Sequence, residues 1–307
     1  MQIDVLKLKL ANFFNEVIPS ALRQFREYGR LMRVDRPIGA WLLGWGAMWA
    51  LWIAGEGRPY PQVFTVFVLG VFLMRSAGCV INDFADRKFD PQVKKSKDRP
   101  LAAGRVSTTE ALILFAGLCV IAFGLVLTLN TLTIKLAFVG IFLAITYPFL
   151  KRFTPLPQFY LGIAFGWAVP MAFAAQTGEV PQLAWLIFLA TTLWAVIYDT
   201  MYAMVDREED LKLGLKSTAI LFGESDRLII GILQLMLLAN LVLVGRRAEL
   251  GAWYYAGVAV AACMSLYQQY LIRNREPDAC FRAFLNNHPF GAAVFAGIVL
   301  HYTFTTT

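Results

Sequence analysis

Apolar residues run through this chain of 307 residues in long, nearly unbroken stretches separated by short polar ones. Nine stretches are long enough, or nearly so, to cross a bilayer core: 38–54, 61–82, 108–128, 131–150, 159–175, 182–203, 228–245, 250–272 and 288–304. Those at 38–54, 159–175 and 288–304 are the shortest. The pattern predicts an all-α, polytopic membrane protein with about nine transmembrane helices. Residues 1–36 read differently. They mix Leu6, Leu8, Leu10, Phe13, Phe14, Val17 and Ile18 with Arg23, Arg26, Arg30, Arg33 and Arg36, and they contain no apolar core or cleavage site of a signal peptide. An amphipathic segment lying on an anionic membrane face fits them, so 1–36 is expected as a surface segment and 37–307 as the transmembrane domain.

Composition agrees, at 58% hydrophobic residues, and charge adds an orientation. Nine spans place 23 of the 28 Lys and Arg on the N-terminal side. The opposite side keeps only Arg58, Arg246 and Arg247, while Arg75 and Lys135 fall inside spans. Positive-inside bias then predicts a cytoplasmic N-terminus and an outward C-terminus. Nothing in the chain points to nucleic acid. Cys79, Cys119, Cys263 and Cys280 show no paired spacing and read as small buried residues. With only His288 and His301, a histidine metal site is not expected.

The chemistry-bearing residues gather at the ends of two spans. Asn82, Asp86 and Asp90 follow one another at intervals of four, which on a helix puts them along one face. Asp199, Tyr202, Asp206 and Asp210 repeat the arrangement at the end of the sixth run. Both runs end on the same side of the membrane. Residues 82–90 and 202–210 align as Asn/Tyr-x-x-x-Asp-x-x-x-Asp, suggesting two related halves. Carboxylates this close need a compensating cation, and two converging stripes suit a hard divalent ion, which for Mg2+ usually brings a phosphate. Interhelical salt bridges with Arg75, Arg87, Lys88 and Lys151 are the plainer alternative. Arg75, eleven residues before Asp86, falls close to the same face and inside the membrane, where it needs an anion: an aspartate, or an anionic group on a substrate. Tyr147 and Lys151 sit four apart at the same membrane boundary. The loops 91–107 and 211–226 carry Lys94, Lys95, Lys97, Arg99, Arg105, Lys212 and Lys216. They read either as basic lids over the acidic face or as solvated positive-inside loops.

Five strings then resemble one family. They are Asp35-Arg36-Pro37-Ile38-Gly39, Asn82-Asp83-x-x-Asp86-x-x-x-Asp90, Lys97-Asp98-Arg99-Pro100-Leu101, Tyr147-Pro148-Phe149-Leu150-Lys151-Arg152 and Asp199-Thr200-x-Tyr202-Ala203-x-x-Asp206-x-x-x-Asp210. In this order they resemble the UbiA-type intramembrane prenyltransferases. Gly214–Gly223 and Leu156-Pro157-Gln158 are similar to the bacterial branch acting on 4-hydroxybenzoate.

The resemblance implies helices around a central cavity open to lipid, a Mg2+ cofactor, a polyprenyl diphosphate donor and a 4-hydroxybenzoate acceptor. It also implies a place in ubiquinone biosynthesis and in the bacterial inner membrane, with the active site cytoplasmic. By matching position, Asn82, Asp86, Asp90, Asp206 and Asp210 would hold Mg2+ against the diphosphate. Asp83, on a neighbouring face, would do the same or support the loop. Lys151 and Tyr147 would contact the diphosphate, Arg75 and Arg36 the acceptor carboxylate or phosphate, and Asp199 would take the ring proton. Tyr202 shares its face. Rivals are a same-fold enzyme with another acceptor, such as haem, a naphthoate or homogentisate, and a cation-coupled transporter with acidic residues near the midplane.

Overall fold

A computed structural model describes residues 18–92 and 96–305, and of residues 18–21, 92 and 151 the backbone only. Leu6, Leu8, Leu10, Phe13, Phe14 and Val17 of the expected surface segment, and Lys94 and Lys95 of the first basic loop, lie outside the described residues. Thirteen α-helices follow one another among those described: α1 Ile18–Leu31, α2 Ile38–Ala54, α3 Pro61–Asp86, α4 Thr108–Val126, α5 Thr131–Thr146, α6 Pro157–Gly166, α7 Ala168–Thr177, α8 Gln182–Leu213, α9 Thr218–Phe222, α10 Asp226–Arg247, α11 Ala252–Leu271, α12 Pro277–Leu285 and α13 Asn287–Thr305.

All nine expected runs are helical, and no strand occurs among the described residues. By length and composition seven segments can cross a membrane: Pro61–Asp86, Thr108–Val126, Thr131–Leu150, Pro157–Thr177, Gln182–Leu213, Thr218–Arg247 and Pro277–Thr305. Helix α2 is apolar but shorter, at 17 residues, and α11 has 20 residues with a more polar end. The chain is a multi-pass membrane protein.

Three departures from the run boundaries have local causes. The fifth run is broken at Trp167 into α6 and α7, because Pro170 has no N–H to offer the carbonyl of Gly166. Helix α3 stops at Asp86, residues 87–89 turn, and Asp90 opens a 3-10 turn through Gln92. The Arg87 guanidinium takes the Phe84 carbonyl (2.7 Å), and Pro91 disfavours a helical Asp90. Helix α8, by contrast, continues ten residues beyond the apolar run, to Leu213. It ends on Gly214, whose left-handed backbone (φ 67°) lets its own N–H and that of Leu215 reach the last carbonyls.

The chain divides into two compact units: the described residues of Met1–Pro37 with Ser76–Leu118, and Ile38–Arg75 with Cys119–Thr307. This is not the division into two related halves that the repeated acidic string suggested. In the larger unit α8 is the axis, packed by α6, α10 and α12, while α2 lies on α7 and α13, and α11 on α13. Residues 191–198 of α8 are all buried.

Close helix approach depends on small residues, as expected where lipid supplies no hydrophobic drive between helices. A Cβ at Gly162 would stand 2.7 Å from the Thr192 carbonyl oxygen, and one at Gly257 2.6 Å from that of Ala293. Buried polar groups are paired across other helix contacts. The Trp49 indole donates to the Gly291 carbonyl (3.0 Å), that of Trp194 to Asn287 Oδ1 (2.9 Å), and Gln234 to Gln268 (2.9 Å). Cys79, Cys119 and Cys280 are buried, as expected; Cys263 is exposed, and all four are free thiols.

Candidate active site

In the smaller unit the last turn of α3 presents Asn82, Asp83 and Asp86, with Asp90 following in its 3-10 turn. Asp83, Asp86 and Asp90 are 2%, 5% and 6% exposed, so three carboxylates are nearly shut off from solvent together. Asn82 Nδ2 reaches toward Asp86 Oδ2 at 3.4 Å. Two arginines answer the charge. Arg33 donates to Asp83 Oδ1 at 2.8 Å, and Arg99 donates to the same oxygen at 3.2 Å and to both oxygens of Asp90 at 3.0 and 3.1 Å. Ser96 Oγ donates to the Asp90 backbone carbonyl, fixing the loop that carries Arg99. Burial pushes the Asp90 carboxyl above the ordinary carboxylate range; Arg99 opposes this, and the charges of Asp83 and Asp86 add to it. Arg36 is exposed, its Nε 3.7 Å from Asp35.

In the larger unit the second string lies on one helix. Asp199, Tyr202, Asp206 and Asp210 are half-buried on α8, with Tyr202 against the rings of Phe284 (5.1 Å between centroids) and Phe281 (6.3 Å). Arg75, Tyr147 and Asp199 all lie within electrostatic range of the buried Tyr198 hydroxyl, so three of the expected residues are drawn to one place. Arg75 is seated by a missing side chain: a Cβ on Gly39 would stand 2.6 Å from its Cζ, inside the guanidinium.

Tyr147 ends α5 and opens a 3-10 turn through Arg152, with Pro148 at its start. At three residues per turn, positions 147 and 151 diverge by about 120°, so the four-residue interval does not give them a shared face. The side chain of Lys151 lies outside the described ones. Lys216 Nζ donates to the Phe153 carbonyl (3.3 Å) and Thr218 N to Gln158 Oε1 (2.9 Å), so the segment after Asp210 is tied to the segment carrying Tyr147.

A third group was not singled out by sequence. Asp226, fully buried, accepts from Arg207, from Arg275 Nε at 3.0 and 3.1 Å, and from the Arg227 backbone at 2.6 Å. Arg207 also takes the Ala219 carbonyl (2.7 Å). The arginine next to Asp206 thus ties α8 to the start of α10. The signal was present, an arginine inside an acidic string, but its partner lies nineteen residues on, across a turn.

Hard oxygen donors suit Mg2+, which needs only one or two carboxylates when phosphate and water complete its shell. Among the described residues no three His, Cys, Asp or Glu side chains group to hold a metal alone. Buried Asp90 already draws a cation, Arg99. Buried carboxylate oxygens that already draw a cation fit a hard divalent ion such as Mg2+.

The UbiA prenyltransferase family model matches residues 43–295. The chain belongs to this family. Among its family relatives is the 4-hydroxybenzoate octaprenyltransferase of Nitrosococcus oceani, 66% identical over 275 residues, or 90% of this chain and 96% of that one. The protein of the same name from Methylococcus capsulatus is 64% identical over 90% of this chain and 94% of its own. Of solved structures, the apo UbiA homolog from Aeropyrum pernix K1 superposes with a TM-score of 0.75 at 25% identity, covering 87% of this chain and 98% of that one. A UbiA homolog from Archaeoglobus fulgidus bound to GPP and Mg2+ shares the fold, with a TM-score of 0.69 at 19% identity over 89% of this chain and 99% of its own.

Proposed function

We propose that this prenyltransferase moves a polyprenyl group, octaprenyl in the names of its relatives, from its diphosphate to the ring carbon beside the hydroxyl of 4-hydroxybenzoate. We place it in a bacterial inner membrane, with the N-terminus and active site cytoplasmic and the C-terminus outside. The observation that carries the reading is that relatives named for this reaction match nine tenths of the chain at 66% and 64% identity. The two acidic strings are the chemistry it requires.

In this reading Asn82, Asp86, Asp90, Asp206 and Asp210 are the residues that would hold Mg2+. When bound, Mg2+ supplies Lewis-acid stabilisation of the charge that develops on the diphosphate. Tyr147 and Lys151 hold that diphosphate while the allylic C–O bond breaks, and Arg36 attends its outer end. Asp83, left by the sequence between coordination and loop support, takes the supporting part: its oxygen already receives two guanidinium groups. Arg75, seated on Gly39, receives the acceptor carboxylate.

The ring carbon next to the hydroxyl forms the new C–C bond, and Asp199 accepts the proton that this carbon releases. Tyr202 of α8 and Phe284 of α12, partly exposed and in edge contact, offer aromatic surface beside Asp199 that excludes water from an electron-poor allyl group.

The test uses membranes containing the protein, 4-hydroxybenzoate and octaprenyl diphosphate, with mass spectrometry of the extracted lipid. Prenylated hydroxybenzoate should form with Mg2+ and vanish with chelator or in Asp206→Ala. Donor consumed only when a different aromatic is supplied would overturn the acceptor. No consumption with any acceptor, in folded protein, would overturn the reaction.

A further inference from the structure

Helix α1 divides its polar side chains between two sides: Gln24, Glu27 and Tyr28 face the protein, while Arg23, Arg26 and Arg30 are exposed. Gln24 Nε2 and Tyr28 OH both donate to Glu110 Oε1, at 2.9 and 2.7 Å, Glu27 accepts from Arg105 Nε at 2.8 Å, and Leu31 is fully buried beside them. At roughly 100° per residue, positions 24, 27, 28 and 31 span about 100° of the helix.

The opposite side carries Leu22 and Phe25, 64% and 69% exposed, and Gly29, where an added Cβ would meet nothing within 4 Å. Exposed Arg23, Arg26 and Arg30 border this apolar strip. The one acidic residue of the helix, Glu27, is already engaged by Arg105 and by Arg30.

The height of the helix is also set. Its partners, Arg105 and Glu110, stand just before and in the first turn of α4, which is long enough to cross the bilayer, so α1 lies at a membrane boundary. At that level outward leucine and phenylalanine enter the headgroup–acyl boundary, and flanking arginines meet phosphate.

From these observations we propose that α1 is a membrane-surface anchor whose outer face binds anionic phospholipid. The anchor is coupled to the first acidic string. Arg33, two residues beyond the end of α1, has a left-handed backbone (φ 55°) and donates to Asp83 at 2.8 Å. Lipid bound to α1 therefore holds the arginine that holds Asp83. The binding surface stands on its own; its bearing on catalysis rests on the function proposed above.

The full-length protein in nanodiscs of phosphatidylcholine, with or without phosphatidylglycerol, tests this by amide hydrogen exchange of the 18–31 segment. Anionic lipid should slow that exchange by about tenfold. The effect should be lost in Arg23→Gln/Arg26→Gln/Arg30→Gln, and Phe25→Glu should raise exchange in both lipids. Residues 191–198 report that the variants remain folded. Equal exchange in the two lipids, or slowing that survives the triple substitution, would overturn the anchor. This readout needs no substrate, so an inactive protein with a lipid-dependent helix would count against the proposed reaction alone.

Discussion

Asp226 shows how much one buried carboxylate can organise. Both Arg207 and Arg275 converge on it, and Arg275 holds a left-handed backbone (φ 57°) to do so. Asp226→Leu leaves two guanidinium groups facing an apolar wall and should cost about 3 kcal/mol, seen as a lower thermal midpoint in detergent. Asp226→Asn, which keeps the shape and part of the hydrogen bonding, should cost less. Gly39 offers a sharper functional test. Gly39→Ala puts a methyl where the Arg75 guanidinium lies and should raise the KM for hydroxybenzoate by about tenfold or more, leaving the KM for the diphosphate donor near its original value. Arg75 was legible in the sequence as a charge needing an anion, but its seat was not. The DRPIG string carries the glycine, yet nothing in the spacing says what approaches it.

Helix periodicity was the legible part of the elements. Asp199, Tyr202, Asp206 and Asp210 sit on one helix because no proline or glycine intervenes before Gly214. The same rule applied to Asn82, Asp86 and Asp90 holds for only the first two, since Pro91 ends the pattern that spacing alone would continue. Arg33 and Arg99 were visible only as members of basic stretches; their contacts with Asp83 are made through turns, which carry no period to read. Small-residue seams are equally silent in sequence, and Gly162 is a direct probe of one. Because the atom in the way is the backbone carbonyl of Thr192, Gly162→Ala must part α6 from α8, and we expect a loss of about 1–3 kcal/mol, measurable by the same melting assay.

At the scale of the whole molecule, charge in the smaller unit links stability to pH and metal. Burial raises the Asp90 carboxyl, so the folded chain binds that proton more tightly than the unfolded chain does. Without metal, this residue therefore favours the folded state as pH falls through its pKa and disfavours it as pH rises. A bound cation reverses the preference, because it requires the carboxylate. The rise in melting temperature on adding Mg2+ should accordingly shrink as the pH is lowered toward the raised pKa of Asp90, and Asp90→Asn should flatten that dependence. Helix α8 sets a dimension for everything above. Eleven residues separate Asp199 from Asp210, a rise of about 16 Å that returns to within about 20° of the same face. On the function proposed above, the helix is a ruler laid from the depth of the bilayer to its rim, graduated at one end for a proton and at the other for a diphosphate. A substrate pair is measured by whether its reacting carbon and its leaving group match those two marks, whatever the length of tail trailing into the lipid.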